Sequence, residues 1–268
     1  MQEFFDTHAH LTFPDFGNEM DEVIRRAASV GITRIITIGT DLESSKCAVA
    51  LAERNDAVYA VVGWHPNDLE PAPGDVCPEL RDLCGHEKVV AIGEAGIDHY
   101  RLPSSRGGGE ADDMIWKKRQ VRVFKQQLEL AAELGLNVVV HQRAALETTL
   151  EIFEPFANRV RGQFHCFVDD VDSMRRIVDI GSLVSFTGIL TFKNAQEVRD
   201  TLAATPADGF MLETDSPFLA PVPYRGKRCQ PAYVKEIADV AAQIRGCSLE
   251  ELSAATCATA RGFFRGLS

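Results

Sequence analysis

Four histidines and two acids in this 268-residue chain stand where short apolar runs give way to polar residues, and imidazole with carboxylate is the donor set of a hydrolytic metal centre. Asp6-Thr7-His8-Ala9-His10 follows Glu3-Phe4-Phe5. In extended backbone alternate side chains share a face, so His8 and His10 point the same way and both imidazoles can reach one cation. Glu94 comes directly after Val89-Val90-Ala91-Ile92-Gly93. A carboxylate there is costly unless a cation or a strong hydrogen-bond network meets it, and its two oxygens suit it to bridging two ions; a structural salt bridge is the competing reading. His141 closes Val138-Val139-Val140 and His165 closes Gln163-Phe164, each an imidazole at the exit of a buried segment, where a fixed ring can serve a metal. Asp215, in Glu213-Thr214-Asp215-Ser216-Pro217, is a candidate for both ligand and general base, with Glu213 competing for that role or supporting it from behind.

Other polar residues read more blandly. His65, in Gly63-Trp64-His65-Pro66, either contacts substrate, orients another ligand or makes a hydrogen bond that stabilises its loop. Cys166 alternates away from His165, which argues against a nucleophilic thiol. His86 lies in a polar turn, and His99 is expected to be solvated in a mobile segment.

The elements that must position these groups are legible in the alternation of apolar segments with helical periodicity, the pattern of repeated β-α units around a parallel sheet. Strands are expected at 3–8, 34–39, 57–64, 88–93, 137–141, 161–166, 182–187 and 209–213, and helices at 19–30, 43–54, 116–134, 173–180 and 195–203. Eight strands without a break in composition predict one domain over 1–268, a (β/α)8 TIM barrel rather than a doubly wound open sheet; the candidate residues then fall at the C-terminal strand ends, where barrel active sites assemble. No G-x-G-x-x-G follows the first strand, which weakens a dinucleotide site. Segment 101–113, with Gly107, Gly108 and Gly109 in a row, reads as an exposed, flexible insertion, and 217–231 as a proline-rich loop before helices that close the C-terminal end.

Composition narrows the partners. A hydrophobic fraction of 45% and a charged fraction of 25% fit a globular protein, no apolar run can span a bilayer, and the acidic N-terminus lacks the features of a secretory signal, so a cytoplasmic protein is expected. Seven cysteines without a C-x-x-C pair predict free thiols. The net charge of −11 opposes a nucleic-acid coat but leaves room for a local phosphate site made positive by metal.

Asp6-Thr7-His8-Ala9-His10-Leu11, Gly63-Trp64-His65-Pro66, Gly93-Glu94-Ala95-Gly96-Ile97-Asp98, His141-Gln142-Arg143, His165-Cys166-Phe167 and Glu213-Thr214-Asp215-Ser216-Pro217, taken in this order, resemble the signatures of the TatD family of metal-dependent hydrolases, amidohydrolase-like barrels. The resemblance implies two divalent cations: His8, His10, Glu94 and Asp215 around one, with Glu94 bridging to a second on His141 and His165. Zinc, magnesium and manganese are the candidates, magnesium being the least natural occupant of imidazole sites. It also implies that Asp215, rather than Glu213, is the general base beside catalytic Glu94, that His65 and Arg143 face the substrate, and that the substrate is DNA, with RNA or a tRNA end as further possibilities. A recessed mouth favours strand ends or single strands. Competing readings are an esterase or amidase such as an aminoacyl-tRNA deacylase, and an inactive barrel serving as a scaffold. The chain departs from the family pattern at Val168-Asp169, which brings negative charge near the expected phosphate position, and at Cys229-Gln230. Tyr224, Arg225, Lys227 and Arg228 form a basic, aromatic cluster suited to a nucleic-acid backbone, or else a solvated loop.

Overall fold

Each apolar run becomes a strand because its β-branched and large residues are buried from both sides, as parallel sheets require. In the computed structural model, which describes residues 2–267, the strands are β1 (Phe4–Ala9), β2 (Ile32–Ile38), β3 (Val58–Val62), β4 (Val89–Asp98), β5 (Val138–Arg143), β6 (Gly162–Phe164), β7 (Leu183–Phe186) and β8 (Phe210–Leu212). They are all parallel and neighbour one another in chain order, forming a nearly closed barrel. The intervening helices are α1 (Met20–Ser29), α2 (Leu42–Glu53), α3 (Cys77–Cys84), α4 (Glu110–Leu134), α5 (Leu146–Phe153), α6 (Val171–Asp179) and α7 (Gln196–Ala204), followed by α8 (Val234–Arg245) and α9 (Leu249–Phe263). Side-chain caps fix three helix starts: Asp41 accepts from Ser44 N–H, Asp170 from Ser173 N–H and Ser248 from Glu251 N–H. No helix among the described residues is long and apolar enough to cross a membrane.

Two buried layers result. Alternate strand residues such as Ile36, Val61, Val139 and Met211 fill the barrel interior, and Phe263, Phe264 and Leu267 pack into that same cluster from the end of α9. Asn137 Nδ2 donates to Phe263 O and Arg265 N–H to Val90 O, tying this plug to the starts of β4 and β5. The opposite, C-terminal rim is therefore the open one. The larger outer cluster lies between the strands and the helices.

Where β1 meets β8 the pairing is a single bridge, Ala9 with Ser216, lengthened by His10 N–H to Ser216 O at 2.7 Å and Asp215 N–H to His8 O at 2.9 Å. Behind it, buried Asp6 accepts from both Thr214 N–H (2.9 Å) and Thr214 Oγ1 (2.6 Å). Burial, with Glu213 nearby, pushes the Asp6 carboxyl up to about 8 against these hydrogen bonds.

Several expectations shift. β4 continues beyond residue 93 to Asp98, so Glu94 lies inside a strand rather than after it. α3 and α5 escape the periodicity argument because eight residues make barely two turns. Segment 101–113 is largely exposed yet built: a 3-10 turn at Pro103–Arg106 leads into the first turn of α4, and Asp113 accepts from both Ser104 N–H (2.8 Å) and Ser104 Oγ (2.6 Å). His99 is half-buried, and its N–H extends the β4–β5 pairing to Arg143 O at 3.0 Å.

Asp6→Ala leaves two buried Thr214 donors unpaired at the weakest seam, so urea unfolding should show a loss of about 2–4 kcal/mol; an unchanged midpoint would show that the seam does not depend on this contact.

Candidate metal centre

The register of the sheet slips in β1 between Asp6 and Ala9, and in β4 between Ile92 and Ala95. Such irregularities bend a strand and re-aim its side chains, and these two carry His8 and Glu94. Gly96 shares this stretch of β4 because a Cβ there would stand 2.0 Å from His141 O. Strands β6 and β8 stop at Phe164 and Leu212, which places His165, Glu213 and Asp215 just beyond the rim.

The structure brings His8, His10, Glu94, His141, His165 and Asp215 together, with His65 beside them. Glu94, 2% exposed, offers a different set of neighbours to each oxygen. Oε2 lies 3.4 Å from His8 Nε2 and 3.6 Å from His10 Nε2, while Asp215 Oδ1 lies 3.7 and 3.4 Å from the same two nitrogens, which are 3.2 Å apart. Oε1 lies 2.8 Å from both His141 Nδ1 and His165 Nε2, which are 3.4 Å apart. Donors about 2.0–2.1 Å from a shared ion in a tetrahedral array stand ~3.3–3.4 Å apart, so the first set has the spacing of a ligand shell and the second differs chiefly in its shorter contacts to Glu94.

His65 Nε2 is 3.2 Å from His141 Nδ1 and 3.4 Å from Glu94 Oε1. Its Nδ1 accepts from Asn67 N–H at 3.0 Å, which leaves the proton of the neutral ring on Nε2, aimed into the site. Arg143 is exposed at the end of β5, its guanidinium 4.0 Å from the centroid of Tyr100, on the wall of a cavity of about 600 Å³ that also contains Glu94, His10, His65, His141, His165 and Asp215. That volume suits a small ligand or one or two units of a polymer.

Electrostatics follow from burial against neighbours. Burial disfavours the Glu94 anion, but the His165 and His65 charges and the His141 and His165 hydrogen bonds overcome this and hold its carboxyl well below the usual range. Burial lowers His8, with His165 adding to the effect. Burial also opposes the His141 cation, yet Asp98 and Glu94 on its two nitrogens raise it; for His165, Glu94 and Glu213 outweigh burial and raise it far more. Asp215 is lowered because its hydrogen bond from His10 and the charge of His8 outweigh burial.

Sequence reasoning missed Asp98, although the period of two places 94, 96 and 98 on one face of β4. Its Oδ2 sits 3.1 Å from His141 Nε2 and accepts from Asn67 Nδ2 at 2.8 Å, so it aims Nδ1 of that ring at Glu94. Glu213 is fully buried and groups with His8 and His165, whereas Asp215 lies by His8 and His10. Its Oε1 accepts from Cys166 N–H (2.7 Å) and lies 3.6 Å from His165 Nδ1; its Oε2 accepts from Ser185 Oγ (2.6 Å) and Gln163 Nε2 (3.0 Å). Cys166 lines the cavity after all, because a positive φ of 48° breaks the strand alternation; burial and the Asp215 and Glu213 charges hold its thiol protonated. Asp169 is tied to Gln142 Nε2 at 2.5 Å, and of the Val168-Asp169 pair it is Val168 that faces the cavity. In the basic loop Tyr224 stacks on Tyr233, Arg225 lies over Phe192 and Arg228 pairs with Glu19 at 2.7 Å, while Arg225 and Lys227 are exposed.

The model of the TatD related DNases matches residues 5–265 of this chain. The chain belongs to the TatD family. It is 36% identical to the uncharacterized metal-dependent hydrolase YabD of Bacillus subtilis (strain 168), over 97% of this chain and 98% of that protein. To the 3'-5' ssDNA/RNA exonuclease TatD of Cronobacter sakazakii it is 33% identical over 97% of each. The crystal structure of the TatD homologue YjjV from Escherichia coli K12 superposes with a TM-score of 0.88 at 28% identity, covering 97% of both chains. Membership makes the chain a TatD-type metal-dependent hydrolase, and the donor set on its rim fits that description.

Because His141 and His165 carry raised pKa values in the cation-free protein and ligation needs neutral rings, divalent-ion binding to this TatD-family site should release protons and tighten as pH rises. Calorimetric titration in two buffers of different ionisation enthalpy checks this; equal apparent enthalpies would contradict it.

Proposed function

We propose that this protein hydrolyses phosphodiester bonds in nucleic acid, working on ends or single strands of DNA with two divalent cations. The observation that carries the reading is the division of Glu94, one oxygen facing His8, His10 and Asp215 and the other facing His141 and His165. The exonuclease name carried by the Cronobacter relative, and the match to a DNase family model, favour nucleic acid as the substrate class.

In this reading His8, His10, Asp215 and Glu94 hold one cation, and Glu94, His141 and His165 the other. When bound, divalent ions supply Lewis acidity toward a phosphoryl oxygen and acidify water. The rest belongs to the chain's own groups. Asp215, an anion by its lowered pKa, takes the proton of the attacking water on its carboxylate. His65 donates from Nε2 toward the negative charge that develops on the phosphoryl group, a role its Asn67 contact prepares by fixing the tautomer. Arg143, stacked on Tyr100 and so restricted in its rotamers, meets a substrate phosphate at the rim. Asp98 keeps the His141 ring aligned by a hydrogen bond, and Glu213 places a carboxylate 3.6 Å behind His165 Nδ1.

Chelator treatment should abolish nuclease activity, with recovery on adding zinc, manganese or magnesium. Asp215→Asn should lower kcat by about 10²- to 10⁴-fold with the fold retained, the range expected for losing a general base. Glu94→Gln should reduce the bound metal per chain measured by elemental analysis. Undiminished rates in rigorously purified Asp215→Asn protein would refute the assignment. Parallel assays on DNA oligomers, RNA and aminoacyl-tRNA separate this activity from ester hydrolysis at a tRNA end.

A further inference from the structure

The cavity has two unlike walls. Phe13 follows β1 while Phe218 and Leu219 follow β8, so one side of the mouth is apolar; Arg101 follows β4 and Arg143 ends β5, halfway round an eight-stranded barrel, so the far side carries two guanidinium groups beside the carboxylates of Asp68 and Asp98. Phe218 is 48% exposed. A lone exposed phenylalanine is ordinary, but this one is held where it is. Its N–H bonds Asp215 O at 2.9 Å, Cys229 N–H bonds Pro217 O at 2.9 Å, and Leu219 O packs so close to Gly188 that a Cβ there would meet it at 2.2 Å. Asp215 (φ 55°) and Leu219 (φ 57°) both sit in the left-handed region, an unfavourable conformation retained on either side of a ring left in water. The ring continues outward from the donor cluster: it stands edge-on to Phe13 at 6.0 Å and to His10 at 6.3 Å between centroids.

Resting on the nuclease reading, we propose that Phe218 is the platform on which the base beside the scissile bond stacks, while Arg101 and Arg143 hold the adjoining phosphate on the opposite wall. Stacking uses the face that every base shares, so the site selects an unpaired base without reading its identity. A base in a duplex must leave its own stack to reach a ring so close to His10. In a chain of net charge −11 those arginines serve as a local anchor, which puts the strand across the mouth with its backbone on one side and its terminal base on the other.

The test is a cycle of two changes, read as KM and kcat on a metal-loaded enzyme with a short single-stranded oligomer, intact or abasic at its terminal nucleotide. Phe218→Ala on the intact oligomer should raise KM about tenfold to a hundredfold, the range of one base–aromatic stack, with kcat changed far less. Removing the base should raise wild-type KM similarly, and the two losses combined should not exceed either alone. Phe218→Trp should restore the intact substrate. Additive losses, or a Phe218→Ala KM within twofold of wild type, would overturn the platform. A wild type that cleaves neither oligomer would overturn the nuclease reading itself, and this inference with it.

Discussion

A negative charge placed almost out of reach of water organises this protein. Glu94 is 2% exposed inside β4, and every ion pair it makes among the described residues is with a histidine: His8 and His10 on one oxygen, His65, His141 and His165 on the other. Burying a carboxylate is expensive, and so is burying imidazolium, so the cluster is stable only when positive charge is shared among its members. Without metal, protons on His141 and His165 supply that charge. Imidazole and carboxylate are also the donor types of a metal centre, so the grouping fits the metal-dependent chemistry of the family.

The remainder of the fold keeps that cluster in register. Interior apolar residues and the α9 plug fill the barrel at its N-terminal mouth, while the larger apolar cluster lies between strands and helices. The rim is held by polar contacts instead: Asp6 to Thr214 across the seam, Glu213 to three donors behind His165, Gln163 between Thr7, Ser185 and Glu213. Asp6 and Glu213 are buried and hydrogen-bonded through both oxygens and Gln163 through its Nε2, so they resist small movements of the strands they sit on. Of the four imidazoles only His141 is itself hydrogen-bonded from behind, by Asp98; for the others these contacts steady the strand ends that carry them.

Charge is distributed with the same economy. The chain is acidic overall, and in the 224–228 loop Arg225 lies over Phe192 while Arg228 pairs with Glu19. The arginines that line the cavity are Arg101 and Arg143. Asp169, which in the bare sequence brings unwelcome negative charge toward a phosphate, is turned aside to Gln142.

How much of this was legible before the fold was known differs from residue to residue. The order of strands and most helices follow from local hydrophobic periodicity, and His8 and His10 could be placed on one face because the two-residue repeat is a property of extended backbone alone. His141 and His165 stood out because each ends an apolar run, a signal that survives without knowledge of neighbours, whereas only the family resemblance favoured Asp215 over Glu213. Asp98 did not stand out, since what distinguishes it is a partner from another strand, His141 Nε2; Glu213 was in view beside Asp215, but its partners, Cys166 N–H and Ser185, come from distant stretches of chain that only the fold brings to it. Cys166 faced the wrong way on paper because a single left-handed residue defeats the alternation, and backbone dihedrals at strand exits answer to tertiary packing. The amino-acid order therefore determined which side chains carry donors and roughly where each strand delivers them. Only the closure of the barrel decided which donors meet, because the distances between β1, β4, β5, β6 and the end of β8 are set by sheet pairing and not by proximity along the chain.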